Sequence, residues 1–158
     1  MTKSIDFYFD FISPYSYLAY QKIKSINNKI EININYKPIL LGALHKLEGI
    51  TAPALNKHKL KNMKNDCEMV AIKNKIEFQW NIKFPINSLY LMRGYLVIDN
   101  EFKKKYLETC FDAYWKNNID ISNQENVNKI LEISGVNKDK FFENIEDIKI
   151  KEELKQLT

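Results

Sequence analysis

Residues 5–19, with the sequence IDFYFDFISPYSYLA, decide the fold of this chain. Every second residue from 5 to 11 is large and apolar, which predicts a β-strand. A helix is expected to follow, because Ser13 suits a helix cap and Pro14 suits the first helical position. A second alternating run over residues 30–36 predicts another strand. Strand, helix and strand joined by short connections form a βαβ unit, so we expect parallel strands linked by a right-handed crossover.

The rest of the chain has a different pattern. From about residue 52 onward, apolar residues recur at helical spacing only. Such runs include Leu60, Leu89, Phe102, Val127, Phe141 and Ile150. The sequence therefore predicts an α/β unit over residues 1–50 and a helical domain over residues 51–158.

Composition excludes several classes of protein. The chain has 158 residues, 45% hydrophobic and 28% charged, which is too apolar for a disordered protein. No apolar run approaches the ~20 residues of a membrane span, and Asp6 and Asp10 within the first apolar stretch argue against a signal peptide. Its four glycines are dispersed, so a phosphate-binding loop and a dinucleotide fingerprint are not expected. We expect a cytoplasmic protein without membrane association.

The net charge of +4 does not by itself indicate a nucleic-acid partner. Lysines are interspersed with acids, and the one short run, 103–105, fits a solvated helix face. We therefore expect no nucleic-acid binding. Arg93 is the one arginine of the chain, and it indicates a planar bidentate contact. That contact is either with a substrate carboxylate or in a structural ion pair, and we favour the ion pair.

Cysteines and histidines offer no metal or redox motif. Cys67 and Cys110 are far apart and belong to no Cys-x-x-Cys pair, so buried free thiols are expected. His45 and His58 stand without metal-ligand spacing, which favours surface or capping positions. No metal site is predicted.

Ser13 is the candidate catalytic residue. The first turn of a helix presents unpaired N–H groups and the positive end of the helix dipole. No histidine or acid lies beside this serine to make it a nucleophile, but its hydroxyl could donate a hydrogen bond to an anion. If that anion is a thiolate, the thiol pKa falls from ~8.5 toward neutrality. The alternative is that Ser13 only caps the helix.

The segment 6–19 resembles the opening of the 2-hydroxychromene-2-carboxylate isomerases. These are relatives of kappa-class glutathione transferases and of bacterial disulfide oxidoreductases. Further matches are Leu41-Gly42-Ala43-Leu44, Lys59, Asp66, Phe84-Pro85, Asn87-Ser88-Leu89 and Met92-Arg93. Serines occupy the positions of the redox Cys-x-x-Cys pair, so disulfide exchange is not expected.

This resemblance implies a thioredoxin-like fold with an all-helical insertion, and glutathione as cosubstrate. In the family, the serine matched by Ser13 stabilises the glutathione thiolate, which adds reversibly to an unsaturated aromatic breakdown intermediate. The double bond becomes rotatable, and elimination gives the isomer. Lys59 matches a lysine that reaches a glutathione carboxylate, although it also fits an ordinary exposed position. The resemblance further suggests Asn56 as a glutathione-binding residue and Lys46 as a substrate-binding residue.

Three departures from the family pattern stand out. Ile50 replaces an asparagine of the second loop, and a tyrosine expected near Asn62 is missing. The family also continues beyond the equivalent of Thr158 into a Gly-Val-Pro-Thr segment with a cis-proline loop that contacts glutathione. We therefore expect the C-terminal part of the thioredoxin sheet, and half of the glutathione pocket, to be missing.

These departures leave alternatives open. The chain is a fragment of a longer protein, or a partner or second copy in a homodimer supplies the missing sheet edge, or the helical domain carries the stability. The predicted activity is a glutathione-dependent cis-trans isomerase. The alternatives are a kappa-type glutathione transferase and a non-catalytic truncated remnant that serves as a binding or assembly module.

Overall fold

The N-terminal βαβ unit forms as predicted. A computed structural model describes residues 4–27 and 32–158 of the protein. Strand β1 (Ser4–Phe9) and strand β2 (Asn33–Pro38) pair in parallel, with helix α1 (Pro14–Asn27) between them in the chain. Ile30 and Glu31, the start of the predicted second strand, lie outside the described residues.

The helical part of the chain contains most of the described structure. Helix α2 (Leu41–Leu47) and a 3₁₀ turn (Pro53–Leu55) connect β2 to the long helix α3 (Lys57–Asn74). The remaining helices are α4 (Leu89–Val97), α5 (Asn100–Trp115), α6 (Gln124–Ser134), α7 (Lys138–Asn144) and α8 (Ile148–Leu157). Helix α2 was not predicted from the sequence, whereas the others follow the predicted apolar spacing.

The core lies where the end of β1 packs against α5. Phe9, Phe11 and Phe111 are completely buried, and the ring centroids of Phe11 and Phe111 are 5.1 Å apart. The Trp115 indole nitrogen donates a hydrogen bond of 2.8 Å to the Phe11 carbonyl oxygen. Because residues before and after position 50 share this core, the division into domains at that position stays a prediction.

The two cysteines are free and buried, as predicted. Burial raises the pKa of the Cys67 thiol to about 12 and also raises that of Cys110. Neither thiol is therefore primed as a nucleophile.

Arg93 forms the expected ion pair, with its Nη1 3.5 Å from Glu146 Oε1. Within the described part of the chain, no helix combines the length and apolarity that crossing a membrane requires.

Candidate functional site

The candidate site begins where the chain leaves β1 and enters α1. The backbone N–H of Ser13 donates to the carbonyl oxygen of Asp10 at 3.0 Å, which closes a tight turn. Ser13 Oγ then accepts a hydrogen bond of 3.1 Å from the backbone N–H of Ser16. The serine therefore does cap the helix, as the simpler interpretation predicts. The cap uses a lone pair of the oxygen, and the hydroxyl hydrogen has no acceptor within residues 4–27 and 32–158, so it is available for donation.

A cavity of about 440 Å³ opens beside Ser13. It is bounded by the β1–α1 turn, α2, the 3₁₀ turn and α3, and by Phe84 and Pro85, whose peptide bond is cis. Most of its walls are apolar: Ile12, Pro14, Leu41, Ala52, Pro53, Ala54, Leu55, Met63, Phe84 and Pro85. A largely apolar cavity of this size with a few polar groups is typical of a small-molecule site.

A second hollow, of about 390 Å³, adjoins this cavity through shared lining residues that include Tyr15. It adds Lys59 and Asp66, both from α3. The Tyr15 hydroxyl donates a 2.9 Å hydrogen bond to Asp66 Oδ2. Burial, and then this bond to a carboxylate, raise the pKa of Tyr15 well above its ordinary value, so the phenol keeps its proton. Together the two hollows form a trough that runs from Ser13 to Lys59.

Asp10 holds the other side of the turn in place. The residue is 2% exposed, and its carboxylate accepts hydrogen bonds from the backbone N–H groups of Leu41, at 2.8 Å, and of Ile12, at 3.1 Å. Burial raises the pKa of Asp10, while hydrogen bonds from Ser88 and from these two N–H groups oppose that rise. Helix α2 has no side-chain cap at its own N-cap residue, Leu40. Asp10 therefore positions the first residue of α2 from the end of β1.

The predicted site residues occupy different places in this geometry. Ser13 and Lys59 line the two joined hollows. Asn56 caps α3, where its side-chain oxygen accepts from the backbone N–H groups of His58 and Lys59. Lys46 is exposed on α2 and lines neither the cavity beside Ser13 nor the hollow beside Lys59. Binding roles for Lys59, Asn56 and Lys46 stay predictions.

Sequence reasoning missed two features of the site. His45 is half-buried and lines the cavity beside Ser13, whereas the sequence suggested a surface or capping position. The signal was the spacing of residues 41, 42 and 45, which places them on one side of a helix once α2 is recognised. The pairing of Tyr15 with Asp66 was also missed, because it joins residues 51 positions apart. Among the described residues there is no cluster of three potential metal ligands.

A family model described as a DSBA-like thioredoxin domain matches residues 4–158. The chain belongs to this family. Among curated relatives of this DSBA-like protein, the 2-hydroxychromene-2-carboxylate isomerase of Sphingobium xenophagum is 28% identical over 145 residues. That match covers 90% of this chain and 74% of the relative. Glutathione S-transferase kappa 1 of Homo sapiens is 23% identical, over 100% of this chain and 75% of the relative.

Solved structures show the same fold. A 2-hydroxychromene-2-carboxylate isomerase structure superposes with a TM-score of 0.86 at 24% identity, over 98% of this chain and 77% of that one. A putative protein disulfide isomerase from Nitrosomonas europaea gives a TM-score of 0.74 at 13% identity, over 99% of this chain and 76% of the other. The prediction of a thioredoxin-like unit with a large helical insertion is confirmed.

Proposed function

We propose that this DSBA-like protein is a glutathione-dependent cis-trans isomerase that acts on an unsaturated aromatic compound. The observation that carries the proposal is the position of Ser13. Its hydroxyl hydrogen has no acceptor in the part of the chain that the structure describes, and the serine, at the first turn of α1, lines a cavity with mostly apolar walls. The similarity to a curated isomerase supports the same reaction.

In the proposed mechanism, Ser13 and the N-terminus of α1 stabilise the glutathione thiolate. A hydrogen-bond donor and a positive dipole end favour the charged form of a thiol and lower its pKa. The thiolate adds to one carbon of a conjugated double bond, which becomes a rotatable single bond. Elimination of the thiolate restores the double bond in the other geometry, so glutathione is not consumed. The rate enhancement comes from thiolate stabilisation and from holding both reactants together.

Lys59 is proposed to bind a carboxylate of glutathione at the far end of the trough. It lines the hollow next to Tyr15, and its side chain is exposed enough to reach a ligand. For Asn56 we propose a ligand contact through the amide nitrogen, because the amide oxygen already caps α3. Lys46 is proposed to contact the substrate only at the rim, because it lies outside the hollows beside Ser13.

The proposed reaction takes place in the cytoplasm. Both cysteines are free thiols in the structure, and reducing compartments keep thiols in that state.

Strand β1 has a strand partner on one side only within the described residues, so we include pairing with a second copy in the proposal. Sedimentation equilibrium tests this pairing, and a monomer at every concentration would remove it.

A kappa-type transferase is the second candidate, because two curated relatives are kappa-class enzymes at 23% and 27% identity. The two activities share the thiolate and differ in what happens to glutathione. A transferase retains the new carbon–sulfur bond in its product, whereas an isomerase returns glutathione. Measuring free glutathione during turnover of an aromatic electrophile therefore separates them: falling glutathione identifies a transferase.

The direct test of the proposal is a titration with glutathione that follows the ultraviolet absorbance of the thiolate. We expect absorbance to appear at neutral pH with the unmodified protein and to be lost in Ser13→Ala. Ser13→Thr is the matched control, because it retains a hydroxyl. Lys59→Met is expected to weaken glutathione binding by about tenfold, the effect of losing one charge-assisted hydrogen bond. Lys57→Met, at an exposed position on the same helix, is expected to have no effect.

Absence of thiolate absorbance up to millimolar glutathione would contradict the proposal. The non-catalytic binding module would then become the better description. An unchanged signal in Ser13→Ala would show that the thiolate is held elsewhere, and it would remove Ser13 from the mechanism.

A further inference from the structure

The excess positive charge of the protein is concentrated in one stretch of the chain. Residues 41–65 contain five lysines and one acid, Glu48, so their net charge of +4 equals that of the whole chain. The lysines are Lys46, Lys57, Lys59, Lys61 and Lys64. Within residues 4–27 and 32–158, Lys64 is the one member of this group with an ion-pair partner, Glu68 at 3.8 Å. The other four lysines are exposed.

The first turn of α3 carries three of these charges at or beside the positive end of its own dipole. Lys57 and Lys59 lie in that turn, Lys61 follows, and the turn contains no acidic residue. Cations at the N-terminal end of a helix are unfavourable there, whereas anions are favourable. The helix therefore gains no stability from these lysines, and an anionic partner at this surface would relieve their repulsion.

Three large aliphatic side chains are exposed in the same stretch. Leu47 is 74% exposed at the end of α2, Ile50 is 53% exposed in the turn that follows, and Leu55 is 76% exposed in the 3₁₀ turn. Single exposed apolar residues are ordinary on a protein surface, but three within nine residues form a local apolar surface. These three residues together with Lys46, Lys57 and Lys61 are called the basic-aliphatic edge.

We propose that the basic-aliphatic edge docks on the surface of an anionic lipid bilayer. Binding to such a surface grows with the apolar area buried at the boundary of the head groups and with the attraction of lysines to anionic lipids. The edge supplies both, because its aliphatic side chains enter that boundary while its lysines contact the head groups. A peripheral contact of this kind requires no membrane-spanning helix. It departs from the expectation of no membrane association, which rested on the lack of an apolar span.

The exposed side chains favour a lipid surface over a protein partner. Leu47 and Ile50 line neither the cavity beside Ser13 nor the hollow beside Lys59. Protein partners are anchored by side chains that fill well-packed pockets, whereas a lipid layer receives exposed side chains of any shape. Single-stranded nucleic acid is disfavoured as well, because these side chains are aliphatic and have no ring on which a base could stack.

Cosedimentation of the full chain with lipid vesicles tests the proposal. The vesicles contain phosphatidylcholine alone, or phosphatidylcholine and phosphatidylserine in equal amounts. We expect the protein to sediment with the anionic vesicles, to stay in the supernatant with the neutral ones, and to be released as the salt concentration rises. Sedimentation with both kinds of vesicle, or with neither, would overturn the proposal.

The lysine half of the contact is tested by a pair of substitutions. Lys57→Gln combined with Lys61→Gln should weaken binding to the anionic vesicles by about 25-fold, or about fivefold for each charge. The matched control combines Lys104→Gln with Lys105→Gln, which removes the same charge from exposed positions on α5. Binding of the control should stay within about twofold, because charges distant from the contact are screened by salt. Equal losses in the two pairs would show unspecific adsorption of a basic protein and would overturn the proposal.

The aliphatic half of the contact is tested by single substitutions. Leu47→Gln and Leu55→Gln should each weaken binding by about tenfold, because each removes one partly inserted leucine side chain. Ile82→Gln is the control, because Ile82 is 79% exposed and lies outside the edge. Unchanged binding in both leucine variants would overturn the proposal and make an acidic protein the better occupant. The experiment uses no glutathione, so this proposal and the proposed function can fail separately.

Discussion

The core around α5 and the cavity beside Ser13 have similar apolar walls but differ in how they are filled. In the core, Phe111, Tyr114 and Trp115 are completely buried and in ring-to-ring contact with their neighbours. In the cavity, apolar side chains line a hollow of about 440 Å³ that opens to solvent. A largely apolar hollow of this size is typical of small-molecule sites, which agrees with the proposed function.

The two regions also differ in which elements build them. Helix α5 contributes seven buried residues to the core. Helix α2 and the 3₁₀ turn, which form one side of the cavity, contribute none. Stability and the proposed ligand binding therefore depend on different segments of the chain. They meet in the short stretch between Phe9 and Ser13.

The strongest test of this division is Trp115→Ala. The indole is completely buried and hydrogen-bonded to Phe11, so its loss leaves a large cavity and an unpaired carbonyl. We expect a decrease of ~3–5 kcal/mol in the free energy of unfolding, measured with urea. Tyr90→Ala, at an aromatic residue 55% exposed, should change it by less than ~0.5 kcal/mol. A small effect at Trp115 would mean that the stability lies elsewhere.

Adding one methyl group to a glycine tests packing in both regions. A Cβ at Gly94 would clash with the ring of Phe141 and lie 2.7 Å from the Tyr106 hydroxyl oxygen. Gly94→Ala should therefore destabilise the protein by ~1–3 kcal/mol through overpacking. At Gly42, in the cavity wall, a Cβ meets no atom within 4 Å. Gly42→Ala should leave stability unchanged or raise it by up to ~1 kcal/mol, because alanine favours a helix. Equal destabilisation by both would contradict the comparison.

Asp10 lies between the two regions, and its titration should make the free energy of unfolding depend on pH. Its pKa is raised above the ordinary 3.8 because the carboxyl is buried. The native state therefore retains a proton that the unfolded chain releases, and this contribution to stability is fully present below pH 3.8. It is lost as the pH rises toward the pKa of the folded state, with a slope of at most ~1.4 kcal/mol per pH unit.

Urea unfolding over a pH series checks this expectation. Asp10→Asn cannot titrate at this position. Its free energy of unfolding should therefore rise relative to that of the unmodified protein as the pH increases from 3.8 toward the folded-state pKa of Asp10. Ser88→Ala removes a hydrogen bond that lowers the Asp10 pKa. The pH range over which stability depends on Asp10 should therefore extend to higher pH in this variant. A constant difference between Asp10→Asn and the unmodified protein would contradict the raised pKa.

The smallest expected effect concerns Asn56 at the edge of the trough. Asn56→Ala removes the cap of α3 and should cost ~1 kcal/mol of unfolding free energy. Asn56→Ser retains a capping oxygen and should restore most of that loss. If Asn56→Ser nevertheless weakens glutathione binding, the amide contacts the ligand as well as capping the helix. Unchanged binding in Asn56→Ser would restrict Asn56 to the structural role.

The sequence allowed prediction of those elements whose signals are local. The alternating run before Ser13 predicted β1, and Gly135, with a φ of 75°, ends α6 where a glycine was expected to. Asn137 likewise caps α7 through its side chain. In each case, propensity and tertiary packing favour the same conformation, so local reasoning was sufficient.

Helix α2 could not be predicted in the same way. It has seven residues and no side-chain cap, so it shows no start signal, and the leucines at 41, 44 and 47 recur over too short a run to establish a helical period. Its N-terminus is fixed by Asp10, which is 31 residues away from Leu41 in the chain. For the same reason His45 was not recognised, since its place in the cavity depends on where α2 lies.

The lack of buried residues in α2 and the 3₁₀ turn has a consequence for engineering. Residues 41–55 form one wall of the ligand space without holding the core together, so they can be exchanged as a cassette. Libraries confined to this stretch should yield folded proteins with altered ligand preference. The anchor that such a graft must respect is the backbone N–H of its first residue, which has to reach the carboxylate at the end of β1.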